Sequence, residues 1–369
     1  MAITDVGDSI LAKDSTQTEI PILHKLNRWQ WWLLVGLNVF FLVAGQTAAV
    51  LLGRYYYDQG GSSTFMATLV QTAAFPILLV PLLFLPSSSS SPTPSDALSG
   101  KYMCLIYIAL GLLLASDNYL YSKGLLYLSA STYSLICATQ LAFNAVFAFF
   151  INSQKFTPLI LNAVVILSYS AALLGVNESS DAPEGVTKSQ YAVGFLCTLG
   201  ASAIYSLLLS LMQLTFEKAI KKETFTVVLE MQIYTSIVAS IASVVALFAS
   251  GQWSSLSGEM HSFHSGKVSY VMTLVWTAVC WQVCSVGVVG LIFLVSSLFS
   301  NVISTVALAV GPIASVIAFH DKMNGVKIIV MLQAFWGFAS YIYQNYIDES
   351  RMTQSRRQME ATDCRVGSC

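Results

Sequence analysis

Gly124-Leu125-Leu126-Tyr127-Leu128-Ser129-Ala130-Ser131-Thr132-Tyr133-Ser134 returns 166 residues later as Gly290-Leu291-Ile292-Phe293-Leu294-Val295-Ser296-Ser297-Leu298-Phe299-Ser300. Both copies read G-L-φ-φ-L-x-x-S-x-φ-S, with φ apolar or aromatic. In the same register Thr139 meets Thr305 and Ala148 meets Ala314. A short polar turn follows each copy, at 152–156 and 320–324, and then one last apolar stretch. Similar apolar segments also match by chance, so the repeat has to be weighed with its surroundings.

Those surroundings are apolar. Of 369 residues 55% are hydrophobic and only 10% charged, against about 25% charged in a soluble domain. Mean hydropathy is +0.66. Crossing about 30 Å of hydrocarbon takes about 20 apolar residues in a helix. Ten such stretches can be marked, at 31–52, 64–85, 102–121, 132–151, 157–176, 191–215, 225–250, 269–295, 297–319 and 326–347. The basic residues are read as lying outside them, and of the 19 acidic ones only Asp117 and Glu230 as lying inside. Hydrocarbon excludes charge, and this distribution is its imprint.

The ends and loops set the expected orientation. Residues 1–30 carry Asp5, Asp8, Asp14 and Glu19 and no early apolar core, so a signal or transit peptide is not expected. An even number of spans puts both termini on one side. Placing them in the cytoplasm leaves twelve of the 18 Lys and Arg residues inside, as the positive-inside rule requires. The expected organisation is a cytoplasmic tail 1–30, a five-helix unit 31–176, an acidic extracytoplasmic linker 177–190, a second five-helix unit 191–347, and a cytoplasmic tail 348–369. The serine run 87–91 reads as a flexible inside loop.

Several function classes drop out. A net charge of −1 gives nothing to attract a phosphate backbone, so nucleic acid is not an expected partner. Seven scattered cysteines form neither a disulfide framework nor a zinc site, and Cys280 and Cys284 read as packing residues. There is no P-loop, nucleophile elbow, H-E-x-x-H or paired C-x-x-C. No enzyme, catalytic residue, metal or cofactor is therefore expected, and uphill transport would draw on an ion gradient.

The repeat then points to transport. Each half holds five spans, an odd number, so the second enters the membrane upside down. Inverted repeats put a substrate site near the midplane and permit alternating access. The two intramembrane carboxylates, Asp117 and Glu230, are candidates for proton coupling, because a desolvated carboxyl can load and release a proton as its exposure changes. The alternative is that each is a helix-end residue in contact with interfacial water. Neutral polar residues recur in the stretches: Asn38 and Gln46, Gln71, Gln140 and Asn144, Gln232, Gln282, Asn301. Gln140 and Asn144 share a helix face. Any one of them serves equally as interhelical glue; as a set they line something polar. Trp276, Trp281 and Trp336 lie deep in their stretches, where a planar ligand would find a stacking face. With no basic side chain in the cavity, the substrate is expected to be neutral or weakly cationic. Amides suit the edge of a flat heterocycle such as adenine, whose N6 and N7 they meet bidentately.

Asp117-Asn118-Tyr119-Leu120-Tyr121 followed by Tyr133-Ser134-Leu135-Ile136-Cys137-Ala138-Thr139-Gln140-Leu141-Ala142-Phe143-Asn144 resembles the plant purine permease family. So do Gln154-Lys155-Phe156-Thr157-Pro158, Val228-Leu229-Glu230-Met231-Gln232-Ile233-Tyr234, Ser297-Leu298-Phe299-Ser300-Asn301-Val302-Ile303-Ser304 and Phe319-His320-Asp321-Lys322-Met323. The resemblance covers roughly residues 34–348. It implies the all-α drug/metabolite transporter fold, ten transmembrane helices as two inverted five-helix repeats. It also implies proton-driven uptake of adenine-like bases and, in various members, cytokinins, alkaloids or vitamin B6 compounds, mostly at the plasma membrane.

The expectation is thus a proton-coupled importer of purine nucleobases and related planar heterocycles, adenine and cytokinins, with lipid, substrate and protons as partners and a homodimer left open. Gln46, Gln140, Asn144, Gln282 and Asn301 would hydrogen-bond the ring, Trp276 or a neighbouring aromatic would stack on it, and Asp117 or Glu230 would carry the proton. A same-fold exporter or exchanger of another metabolite, and a receptor that binds without transporting, are the alternatives.

Overall fold

The computed structural model describes residues 28–80, 100–151, 157–176, 185–216, 225–295, 297–321 and 323–366. Among the described residues the structure is helical and contains no strand. Twelve α-helices follow in order: α1 (Arg28–Asp58), α2 (Thr64–Ala73), α3 (Gly100–Tyr127), α4 (Ala130–Cys137), α5 (Gln140–Ile151), α6 (Pro158–Val176), α7 (Lys188–Thr215), α8 (Phe225–Ala249), α9 (Leu256–Ser262), α10 (Gly266–Leu294), α11 (Ser297–Phe319) and α12 (Gly325–Val366). Among the described residues eight helical spans are long and apolar enough to cross a membrane. Two shorter apolar segments, Thr64–Leu78 and Val306–Phe319, coincide with two of the remaining expected stretches. The serine run 87–91 and the tail 1–27 lie outside the described residues.

Local sequence explains the ends. The Ser63 hydroxyl accepts from the Met66 N–H to start α2, and the Ser129 hydroxyl from the Thr132 N–H to start α4. Thr187 and Gln190 form a reciprocal capping box on α7. Past Ile347, where the last apolar stretch ends, α12 runs on to Val366, because neither Pro nor Gly interrupts the chain before Gly367.

The stretch 132–151 forms one span, Ala130–Ile151, as expected, but its helix is interrupted by a turn at 138–139. Between α4 and α5 the Thr139 N–H and hydroxyl both turn back onto the Ile136 carbonyl, at 2.9 and 2.7 Å. The hydroxyl competes with the helical ladder and tightens one turn. From α7, the Ser206 hydroxyl donates to the Gln140 carbonyl at 2.7 Å and fixes the break in place.

The molecule is apolar outside, and its apolar core holds buried stripes of small polar residues. On α6, Leu161, Val165 and Tyr169 form an exposed stripe, and Ala163, Leu167 and Ala171 are buried behind it. Ile241, Val245 and Phe248 do the same on α8. Contiguous apolar exposure on this scale is what lipid, not water, tolerates. Inside, Thr198, Ser202, Ser206 and Ser210 form a buried stripe along α7 at every fourth position. Small hydroxyl residues of this kind let helices pack closely in a bilayer.

Helices pair as α1 with α10, α3 with α7, and α6 with α12; lesser contacts join α3 to α8, α2 to α10, α5 to α7 and α1 to α11. α2 also packs on α8, and α4 on α11. Glycine sets the closest approaches. A Cβ at Gly290 on α10 would run into the Asn38 side chain of α1, and one at Gly124 on α3 into the Thr198 hydroxyl of α7.

Candidate functional site

A narrow cavity lies among α1, α2, α3, α4 and α10. Tyr56, Tyr57, Tyr121, Tyr133 and Trp281 supply aromatic walls, and Gln71, Ser122 and Thr277 supply polar groups. Its volume is about 30 Å³, about one water's share of the liquid. A ring-sized ligand needs more room than this and would require the walls to stand farther apart.

At one side of the cavity a buried amide network is built across three helices. The Gln71 amide donates to the Ser122 hydroxyl at 2.9 Å and to the Asn118 carbonyl at 3.3 Å. The Gln282 amide of α10 donates to the Gln71 carbonyl at 3.3 Å. Gln282 is 2% exposed, and its side-chain oxygen has no hydrogen-bond partner. Asp117, also 2% exposed, has an unpartnered carboxyl oxygen, and it sits one turn before Tyr121 of the cavity wall. Buried polar atoms are nearly always satisfied, because leaving one bare costs about 1–3 kcal/mol or more. Among the described residues six buried side-chain oxygens lack a partner, and of these the Tyr57 hydroxyl belongs to the cavity lining.

The expected site residues do not all converge here. Neither Gln282 nor Asp117 lines the cavity: Gln282 bonds the backbone of Gln71, which does line it, and Asp117 stands one turn before Tyr121 of the wall. Gln46 is half-buried on α1 and does not line the cavity. Gln140 and Asn144 lie on α5, where the Asn144 amide donates to the Tyr341 hydroxyl at 3.2 Å. A second space of 320 Å³ adjoins that helix, walled by Phe143, Val164, Phe195 and Leu199, with only Thr139 and Ser168 as polar lining. Trp276 is 55% exposed on the outer face of α10; Trp281, five residues on, is the one that reaches the cavity. Glu230 is half-buried on α8, one turn before Tyr234, whose ring stacks on Tyr107 at 5.3 Å. The side chain of Asn301 lies outside the described residues.

Residue chemistry alone missed Gln71 as a site residue, though it stood in the polar inventory. The signal was its geometry relative to Ser122 of another helix, which no sequence spacing carries. The reading that basic residues stay outside the apolar stretches fails at Lys327, one residue inside the last stretch and 1% exposed. Its ammonium donates to the Ser131 hydroxyl at 2.9 Å. Arg54, beyond the first stretch, is also buried, because α1 runs on to Asp58. Its guanidinium caps the end of α3, donating to the Leu125 and Leu128 carbonyls at 2.9 Å each and pairing with Asp58 at 2.5 Å. A cation at a helix C-terminus satisfies orphan carbonyls and opposes the helix dipole. Arg54 is therefore occupied, and the cavity keeps its uncharged donors and acceptors.

Among the described residues no cluster of three or more His, Cys, Asp or Glu side chains could hold a metal.

A family model described as purine nucleobase transmembrane transport matches residues 33–351. "Probable purine permease 11" of Arabidopsis thaliana is 66% identical over 355 residues, spanning 96% of this chain and 94% of that protein. "Probable purine permease 13" and "Putative purine permease 12" of the same plant are 56% and 54% identical. Each of these two alignments spans 92% of this chain; they span 94% and 95% of those proteins respectively.

Proposed function

The chain belongs to the purine permease family, and from that premise we propose that it is a proton-coupled importer of purine nucleobases and related planar heterocycles such as cytokinins. The observation that supports the substrate reading is the aromatic-walled cavity with Gln71, Ser122 and Thr277 in its lining, formed by helices that also carry the bare Gln282 oxygen and the Asp117 carboxyl. A flat heterocycle would slide between Tyr121, Tyr133 and Trp281, with its N–H edge toward the Gln282 oxygen. Stacking selects for planarity and the amides for the ring edge.

Ten spans in two inverted halves give the simplest account of the helix pairing. Exchanging each span with the one five places on converts α1·α10 into α7·α3, α3·α8 into α10·α2, and α5·α7 into α11·α1. The pairs α6·α12, α2·α8 and α4·α11 map onto themselves. Gly124 and Gly290, equivalent in the sequence repeat, are the contact glycines of the equivalent pairs α3·α7 and α10·α1. The symmetry supports alternating access by rocking of the halves.

Asp117 is the better placed proton carrier, being buried, incompletely bonded and one turn from Tyr121 of the cavity wall, with Glu230 as the second candidate. Gln46, Gln140, Asn144 and Asn301 remain candidate contacts of another state of the cycle. Both termini are assigned to the cytoplasm and the protein to the plasma membrane.

A competition panel tests the substrate class. Labelled adenine uptake by yeast lacking its own purine uptake should be competed by unlabelled adenine and trans-zeatin and resisted by pyridoxine. Competition by pyridoxine alone would reject the purine assignment.

A further inference from the structure

Glu259 lies in α9, in the connection between α8 and α10, and escapes every sequence criterion used above, yet it is 5% exposed and bonded on all sides. One carboxyl oxygen accepts from the Tyr56 hydroxyl and, at 3.3 Å, from the Tyr270 hydroxyl. The other accepts from the Ser62 hydroxyl at 3.0 Å and the Ser63 N–H at 3.1 Å. Tyr56, Ser62 and Ser63 belong to the first five-span half, Glu259 and Tyr270 to the second. The ring of Tyr56 is part of the cavity wall. The carboxylate therefore joins two halves that must separate if the cavity is to open at this end.

The neighbourhood is built like a clasp. Gly251 and Gly266, at φ 73° and 86°, adopt the left-handed conformation on either side of the segment that carries α9, and Gly60 does so at φ 101° in the facing turn. The Tyr55 hydroxyl meets the Ser265 hydroxyl at 2.9 Å, and the Gln59 carbonyl accepts from the His264 N–H at 3.0 Å. A second link across the halves stands at the same end, which the Arg54 cap ties to the end of α3. There Asp321 accepts from the Ser131 N–H at 3.1 Å, and Lys327 donates to Ser131.

We propose that Glu259 is the latch of an outer gate: its carboxylate holds Tyr56 and the turn after α1 against α9 and α10, sealing the cavity from the extracytoplasmic side. The side rests on the topology proposed above. A carboxylate with four donors is strongly held while dry, and it is readily re-solvated once the halves part, because water replaces the same four bonds. That combination suits a contact made and broken in every cycle.

The test uses a reporter cysteine, Val50→Cys in the cavity wall, labelled on intact cells with a membrane-impermeant maleimide. Glu259→Ala should raise its labelling rate roughly tenfold or more, as loss of a charge-assisted bond set shifts a closed–open equilibrium. Glu259→Gln should stay close to the parent, since its amide can face the tyrosine hydroxyls and its oxygen the Ser63 N–H. Tyr270→Phe, which keeps the ring and removes one bond, should fall between. Buried Cys284 should stay unlabelled in all of them, which separates gate opening from unfolding. Unchanged labelling in Glu259→Ala at parental surface level overturns the latch. If that variant does not reach the surface, unchanged labelling in Tyr270→Phe overturns it. Labelling needs no substrate, so a raised rate without purine uptake would keep the gate and reject the substrate, and purine uptake with an unaltered rate would do the reverse.

Discussion

At the scale of single residues, the account turns on polar atoms buried without partners and on cations buried with them. Gln282→Leu removes the bare oxygen and should raise the KM for adenine roughly 5- to 100-fold, the worth of about 1–3 kcal/mol of base-edge recognition. Its effect on the KM for a heterocycle lacking an edge N–H should be small. Asp117→Asn should leave adenine exchange in place while removing its dependence on a proton gradient, read as uptake with and without an uncoupler. Arg54→Gln leaves the Leu125 and Leu128 carbonyls short of a charged donor, a loss on the order of 2 kcal/mol, visible as a lower melting temperature in detergent. Sequence made Gln282 and Asp117 legible because charge and amide groups are rare in apolar stretches. Glu259 lies outside the apolar stretches, and Gln71 and Trp281 stand in the polar and aromatic inventories without a mark that sets them apart. Their meaning comes from atoms on other helices: Ser122 for Gln71, Tyr56 for Glu259. Trp276 and Trp281 are indistinguishable by composition and differ only in which face of α10 they occupy.

At the scale of elements, the apolar stretches foretold the long helices well, because a bilayer demands length and hydropathy and little else. The break between α4 and α5 was illegible for the opposite reason. It contains no Pro or Gly, and it depends on the Thr139 hydroxyl turning back and on Ser206 arriving from α7. The repeat, by contrast, carried a packing rule. Gly124 and Gly290 stand where two helices touch, and Gly36 faces open space. Gly124→Val and Gly290→Val should each lower the amount of folded protein, since overpacking at such contacts costs about 1–3 kcal/mol. Gly36→Val should be tolerated. Fluorescence-detected size exclusion of the three variants checks the pattern, and equal loss at Gly36 would remove glycine-limited packing as its cause.

At the scale of the whole molecule, the helices expose apolar faces and bury stripes of small polar residues, and the links at one end cross between what are proposed to be the two halves. Cross-linking Ser131→Cys to Asp321→Cys should arrest adenine uptake and reductant should restore it, because the two sides of that contact must part for the cavity to open. The direct test of the central claim uses purified protein in sealed vesicles with labelled adenine outside and an imposed inward proton gradient. The account predicts saturable accumulation above the outside concentration, abolished by collapsing the gradient. Uptake no greater than that of protein-free vesicles, with the protein folded and inserted, would contradict it.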